Sequence, residues 1–122
     1  MRDYTKIEAW KLADDLVVAV YQVTKRFPKE ELYGITSQLR RAASSVAANI
    51  VEGSARESVK DYLHFLQIAR ASLSETQYFL HLATRLDYLS EDTSATLASQ
   101  CKRTFACLHG LMSAIRNESL RK

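Results

Sequence analysis

The sequence predicts an all-α protein, an antiparallel up-down-up-down four-helix bundle that forms a single domain over residues 1–122. Apolar residues recur at three- and four-residue steps over long stretches, which is the spacing of amphipathic helices. Only three Gly and one Pro are present, too few for the many turns of an all-β domain. Short connections between long helices favour antiparallel packing of neighbours.

The first helix is expected at about residues 7–26. Trp10, Ala13, Val20 and Thr24 lie at helical spacing and define its apolar face. Pro28 then ends the helix, because proline disfavours helical geometry in the residue before it.

The second helix is expected at about residues 36–53. Thr36 or Ser37 is predicted to cap its N-terminus, and Gly53 is predicted to cap its C-terminus. The segment is built almost entirely of small residues, which allow two helices to approach closely. We therefore expect this helix to be a packing surface of the bundle.

The third helix is expected at about residues 59–89, with Ser58 as its N-terminal cap. It carries two adjacent apolar rows, so it is expected to contact more than one neighbour. The fourth helix is expected at about residues 92–118, and Ser90 is placed to cap it.

The composition indicates a globular chain, with 47% hydrophobic and 25% charged residues and a net charge of +3. No apolar run approaches the ~20 residues of a membrane span, and the first ten residues lack a signal-peptide core. No membrane contact is expected, and the cytoplasm is the expected compartment. Cys101 and Cys107 fall on different faces of one predicted helix, so both are expected to be reduced.

Sequence patterns for catalysis are weak. A di-metal site in a bundle requires a Glu-x-x-His motif on two helices, and only Asp61 and His64 show an acidic residue at this spacing. Three scattered Gly cannot form a phosphate loop, and no nucleophile elbow is present. The sequence therefore predicts no catalytic residue, metal site, cofactor or small-molecule substrate.

Polar residues on and opposite the small-residue helix are candidates for a structural network. Antiparallel register places Glu75 within about a turn of Gln38 and Arg41, and a buried carboxylate requires a partner. We therefore expect Glu75 to pair with one of them. Glu52 and Arg56 form a favourable i,i+4 pair. The predicted network consists of Gln38, Arg41, Asn49, Glu52 and Glu75.

Basic side chains are candidates for phosphate contacts. In residues 93–122 they dominate, with Glu118 as the only acid. Contacts to phosphates are additive and carry no sequence information. The candidate nucleic-acid contacts are Arg40, Arg56, Lys102, Arg103 and Arg116.

Three motifs resemble those of one known family. They are Phe27-Pro28-x-x-Glu31-x-Tyr33-Gly34-Ile35, Gln38-Leu39-Arg40-Arg41-Ala42-Ala43-x-Ser45-Val46-x-x-Asn49-Ile50-x-Glu52-Gly53, and Asp61-Tyr62-x-x-Phe65-Leu66-x-Ile68-Ala69-x-x-Ser72-Leu73-x-Glu75. The family is the bacterial four-helix-bundle proteins named after intervening sequences of 23S ribosomal RNA genes. The resemblance runs from Trp10 to about Leu89. Ala47 departs from the pattern, since many relatives have Pro there, and should leave the second helix straighter.

The resemblance implies a ring-like homopentamer without known enzymatic activity. It also implies a fold similar to the accessory protein of diversity-generating retroelements, a basic pentamer that binds nucleic acid and a reverse transcriptase. RNA or DNA is thus an expected partner beside the chain itself. The alternative is a protein-interaction scaffold or accessory subunit without direct nucleic-acid contact. Expected oligomer contacts are Tyr4, Trp10, Phe65, Tyr78, Phe79 and Leu82.

Overall fold

Residues 2–120 are described by the structure, a computed structural model, and they form four long helices. These helices are α1 (Glu8–Thr24), α2 (Ile35–Ser54), α3 (Val59–Arg85) and α4 (Glu91–Leu120). Each helix packs against the next one along the chain, and α4 packs against α1, whereas in residues 2–120 no Cα atoms of the diagonal pairs come within 8 Å of each other. The predicted all-α four-helix bundle is confirmed. Short 3-10 turns at Tyr4–Lys6 and Lys29–Glu31 precede α1 and α2.

The predicted caps of α3 and α4 are present. The Ser58 hydroxyl accepts a hydrogen bond from the Asp61 backbone N–H at 3.0 Å. The Ser90 hydroxyl accepts one from the Thr93 backbone N–H at 3.1 Å. Each bond satisfies one of the free N–H groups in the first turn of its helix, which explains why these helices begin where the sequence predicts.

The start of α2 differs from the prediction by one residue, with consequences for two side chains. The helix begins at Ile35. The residue before it is Gly34, which has no side chain to cap the helix. Thr36 and Ser37 therefore lie within the first turn and do not cap it. Thr36 is buried there, with 3% of its surface exposed.

Gly53 is not the left-handed cap that the sequence predicts. It lies inside α2, and no glycine in residues 2–120 has a positive φ. A Cβ on Gly53 would lie 3.0 Å from both Phe65 Cβ and Tyr62 Cδ1. Glycine suits this position because a side chain would make Phe65 or Tyr62 shift by a few tenths of an ångström where α2 and α3 approach closely.

The third helix ends at Arg85, about four residues before the predicted end. Asp87 adopts a left-handed conformation with a φ of 63°. The backbone N–H of Tyr88 then bonds to the carbonyl of Ala83 at 2.9 Å, which closes the helix end. Periodicity alone could not predict this stop, because no Gly or Pro marks it.

Each helix contributes one apolar row to the core. Fully buried members include Leu16, Val20, Leu39, Val46, Ile50, Tyr62, Leu66, Leu73, Leu108 and Met112. This core fills the space between the helices, so side chains that can meet a ligand lie on the outer faces and at the two ends of the bundle.

Candidate nucleic-acid interface

The predicted pairing of Glu75 is wrong. Gln38, Arg41 and Glu75 are all exposed, and no hydrogen bond or ion pair in residues 2–120 joins Glu75 to either of the others. Register places these residues near one another along the axis, but all three project to the solvent side of the α2–α3 contact. In water a carboxylate keeps its hydration and requires no buried partner.

Serines and an asparagine form the polar contact between α2 and α3 instead. The Asn49 amide donates to the Ser45 carbonyl at 2.8 Å and to the Ser45 hydroxyl at 2.9 Å. The Ser45 and Ser72 hydroxyls are 2.8 Å apart and share a hydrogen bond across the two helices. We call these three residues and Gly53 the α2–α3 interface. Sequence reasoning named Asn49 but missed the two serines, whose signal was their position within apolar rows.

The predicted i,i+4 pair of Glu52 and Arg56 is present as an exposed ion pair. The Arg56 guanidinium also lies over the Phe65 ring, 4.7 Å from its centroid. Arg2, which sequence reasoning missed, donates to the Arg56 carbonyl at 2.8 Å and lies over the Tyr62 ring. Arg56 therefore has an acidic partner of its own, which reduces the charge it offers to a phosphate.

The basic residues predicted on α4 do not form one patch. Lys102, Arg103 and Arg116 are all exposed. Lys102 and Arg116 are separated by about 21 Å along the helix axis, and Arg103 and Arg116 point about 140° apart. Nor do Arg40 and Arg56 meet, because Arg40 lies in the second turn of α2 and Arg56 follows the end of that helix. The five predicted contacts are spread over the molecule.

A different set of cations comes together where α1 ends and α2 begins. We call Lys25, Lys29 and Arg40 the basic corner. A cavity of about 360 Å³ opens there, between the end of α1 and the first turns of α2. The residues that line it are Thr24, Lys25, Phe27, Pro28, Lys29, Leu32, Thr36 and Arg40. No carboxylate is among them, so the cavity has positive charge only.

Arg40 is held in place without an acidic partner. Its Nε donates to the Thr24 hydroxyl at 2.8 Å, and its guanidinium carbon lies 4.7 Å from the centroid of the Tyr21 ring. The side chain is half-buried, and within residues 2–120 no carboxylate comes within ion-pair distance of it. The two terminal nitrogens donate no hydrogen bond in this part of the chain, so they are free to bind an anion.

Two acidic residues, Glu30 and Glu31, lie beside the basic corner in sequence. The Glu31 carboxylate accepts a hydrogen bond from the Tyr88 hydroxyl at 2.8 Å, on the side of the turn between α3 and α4. This bond to Glu31 is the main reason that the pKa of Tyr88 is raised. Glu30 is exposed. Neither of the two acids lines the cavity.

A second cavity, of about 550 Å³, lies between α3 and α4 and carries charges of both signs. Arg85, Asp87 and Glu91 are at its rim, and Cys101 is part of its lining. Burial raises the pKa of the Cys101 thiol to about 11, so the thiol stays protonated at neutral pH and is a poor nucleophile. In the described part of the chain no three His, Cys, Asp or Glu side chains converge to hold a metal ion.

The residues predicted as oligomer contacts remain partly accessible in the single chain. Tyr4 packs edge-on against Trp10 with ring centroids 4.9 Å apart, and both are half-buried. Tyr78 is 56% exposed and packs against Phe79. Phe65, Phe79 and Leu82 are half-buried. None of the helices in residues 2–120 combines the length and apolarity needed to traverse a bilayer.

Comparisons with known proteins agree on the fold. Residues 5–110 match the family model described as 23S rRNA-intervening sequence protein. The chain is similar to a crystallised protein of unknown function from the S23 ribosomal protein family of Bacteroides thetaiotaomicron. The TM-score is 0.79 at 21% identity, over 85% of this chain and 97% of the other. No curated protein matches the chain.

Proposed function

The chain belongs to the family of 23S rRNA-intervening sequence proteins, and we propose that it is a non-enzymatic, homo-oligomeric protein that binds RNA or another nucleic acid electrostatically. The basic corner carries this proposal. Lys25, Lys29 and Arg40 surround one cavity without a carboxylate, and Arg40 is fixed by Thr24 and Tyr21 with its terminal nitrogens free. A fixed guanidinium with two further cations around the same cavity is suited to phosphate oxygens.

Assembly strengthens such binding. We propose a homopentamer, in which a net charge of +3 per chain becomes about +15 (five times +3). Five copies of the basic corner on one ring also allow several contacts with a single strand, which raises the avidity without a new kind of contact. The aromatic residues that the single chain leaves accessible, Tyr78 among them, supply apolar area for the subunit contacts.

Two matched triple variants test where the nucleic acid binds. One is Lys25→Gln, Lys29→Gln and Arg40→Gln, and the other is Lys102→Gln, Arg103→Gln and Arg116→Gln, so the charge removed is equal. RNA retention is measured by filter binding between about 50 and 200 mM salt, and the oligomeric state by native mass spectrometry.

The corner variant is expected to lose at least about tenfold in affinity and to reduce the salt slope by about 2, since each lost contact to a single strand removes about 0.7. The α4 variant is expected to bind nearly as the native protein does. Equal losses in both variants would place the contacts on a diffuse surface. Absence of both RNA and DNA binding at low salt, with the oligomer intact, would exclude nucleic-acid binding.

A second candidate function is a protein-interaction scaffold or accessory subunit. Leu32 and Tyr33 favour it, because they are adjacent in sequence at the turn before α2 and are 49% and 93% exposed. Hydroxyl-radical footprinting of the assembled protein separates the possibilities. If Tyr33 stays accessible in the oligomer, it is available to another protein. If Tyr33 becomes protected on assembly, it is a subunit contact.

A further inference from the structure

We propose that the cavity of the basic corner is a built subsite for one phosphate group, carried by a nucleotide unit whose sugar or base packs on the apolar side of the cavity. The inference rests on the proposed function and makes it specific. A diffuse basic surface holds phosphates in no fixed place, whereas this cavity fixes one phosphate between named side chains of a single chain.

Arg40 is the main binding residue of the subsite. Its contacts with Thr24 and Tyr21 fix the guanidinium before any ligand arrives, so little conformational entropy remains to be lost on binding. A half-buried cation without a counter-ion lowers stability unless a ligand compensates it. The planar guanidinium can donate two parallel hydrogen bonds to a phosphate.

Thr36 supplies an independent observation. Five other threonines within the helices donate to the carbonyl four residues earlier, namely Thr24, Thr76, Thr84, Thr96 and Thr104. Thr36 does not make this bond because Leu32, four residues earlier, precedes α2. Its buried hydroxyl has no hydrogen-bond partner in the described part of the chain, although Thr36 lines the cavity. Since threonine in helices divides between two χ1 rotamers, rotation can present this hydroxyl to a phosphate oxygen.

The charge and shape of the cavity select the ligand class. Three cations and no acid line it, which suits the phosphate monoester of a free nucleotide or of a strand end, with nearly two negative charges, better than a single carboxylate. Phe27, Pro28 and Leu32 form an apolar side that inorganic phosphate alone leaves uncovered. A volume of about 360 Å³ lies within the ~300–1,000 Å³ range of small-molecule sites.

The test uses the full chain with 5′-AMP, inorganic phosphate and a short single-stranded RNA as separate probes. Isothermal titration at low salt is expected to give one AMP per chain, with weaker binding of inorganic phosphate. Arg40→Gln and Thr36→Val are each expected to weaken AMP binding about tenfold or more, since each removes hydrogen bonds to a charged group. Lys102→Gln, an equal charge change on α4, is expected to leave AMP binding unchanged. Circular dichroism checks that every variant is folded.

The outcomes distinguish the subsite from the proposed function. Native-like AMP binding by both Arg40→Gln and Thr36→Val overturns the subsite, and so does an equal loss in Lys102→Gln. If RNA still binds in either case, the proposed function stands without it. If AMP binds and responds to the two substitutions while neither RNA nor DNA binds, the subsite stands and the nucleic-acid function fails. Equal affinity for AMP and inorganic phosphate overturns the role of the apolar side.

Discussion

Polar side chains are hydrogen-bonded to one another in the α2–α3 interface, whereas polar groups at the basic corner lack partners in the described part of the chain. At the interface, Asn49 donates to Ser45 within α2, and Ser45 shares a hydrogen bond with Ser72 of α3. At the basic corner, Arg40 has no acidic partner and the Thr36 hydroxyl has no partner within residues 2–120. Both sites include α2, about two turns apart, so the difference does not come from a change of helix.

Polar groups that satisfy one another contribute to stability and fix how two helices pair. Polar groups that a protein buries without a partner cost stability, and each requires another explanation, such as an absent ligand. The motifs that resemble the family include all four residues of the α2–α3 interface, whereas of the cavity lining they include Phe27, Pro28 and Arg40 but not Thr36. Free energies of unfolding of variants at the two sites measure this contrast.

The largest effect is expected from Gly53→Val, which should lower the free energy of unfolding by about 2–3 kcal/mol. The added side chain would begin 3.0 Å from Phe65 Cβ and Tyr62 Cδ1, so these neighbours would have to shift, and the two methyl groups of valine add to the crowding. Urea denaturation followed by circular dichroism, at one protein concentration, measures the change.

Gly110→Val is the matched control for that substitution. Gly110 lies within α4, and a Cβ there meets nothing within 4 Å. Because valine favours a helix slightly more than glycine does, this variant is expected to gain a few tenths of a kcal/mol. Equal stability of the two variants would show that α2 and α3 have room between them, and the contrast with the basic corner would lose its basis.

A smaller loss, about 1 kcal/mol relative to its control, is expected from Ser72→Ala. The substitution removes the 2.8 Å bond to the Ser45 hydroxyl, while Asn49 continues to donate to Ser45. Ser74→Ala on the exposed side of α3 corrects for the difference in helix propensity. In a double-mutant cycle, the effects of Ser45→Ala and Ser72→Ala on the free energy of unfolding are expected to be non-additive. Simple additivity would show that the bond between the two hydroxyls does not contribute to stability.

The sequence predicts the helices well because periodicity and capping are local properties. Ser58 and Ser90 cap the helices they were expected to cap. The predicted pairing of Glu75 is wrong because antiparallel register gives the position along a helix axis but not the direction in which a side chain points. The orphaned hydroxyl of Thr36 depends on whether α2 begins at Ile35 or one residue later. Capping preferences in a sequence do not locate the first residue of a helix to within one position.

The smallest effect at a buried polar side chain is expected from Thr36→Val, and its sign is opposite to that of Ser72→Ala. Valine has nearly the same shape and helix propensity as threonine, and it removes a buried hydroxyl that has no partner in the described part of the chain. Without nucleotide, the free energy of unfolding is therefore expected to stay unchanged or to rise by up to about 1 kcal/mol. A loss as large as that of Ser72→Ala would mean that the hydroxyl is satisfied in the folded protein, and the two regions would then be alike.

The same denaturation experiment in the presence of nucleotide measures how much ligand binding stabilises each variant. A ligand that binds only the folded state stabilises it by about 2.7 kcal/mol at a hundred times its dissociation constant. Native protein is expected to gain this amount with saturating 5′-AMP. At the same AMP concentration Thr36→Val is expected to gain about 1.4 kcal/mol less, if its affinity is tenfold lower. A hydroxyl that lowers stability without the ligand and raises it with the ligand belongs to a binding site, because a residue needed only for packing would not reverse its sign.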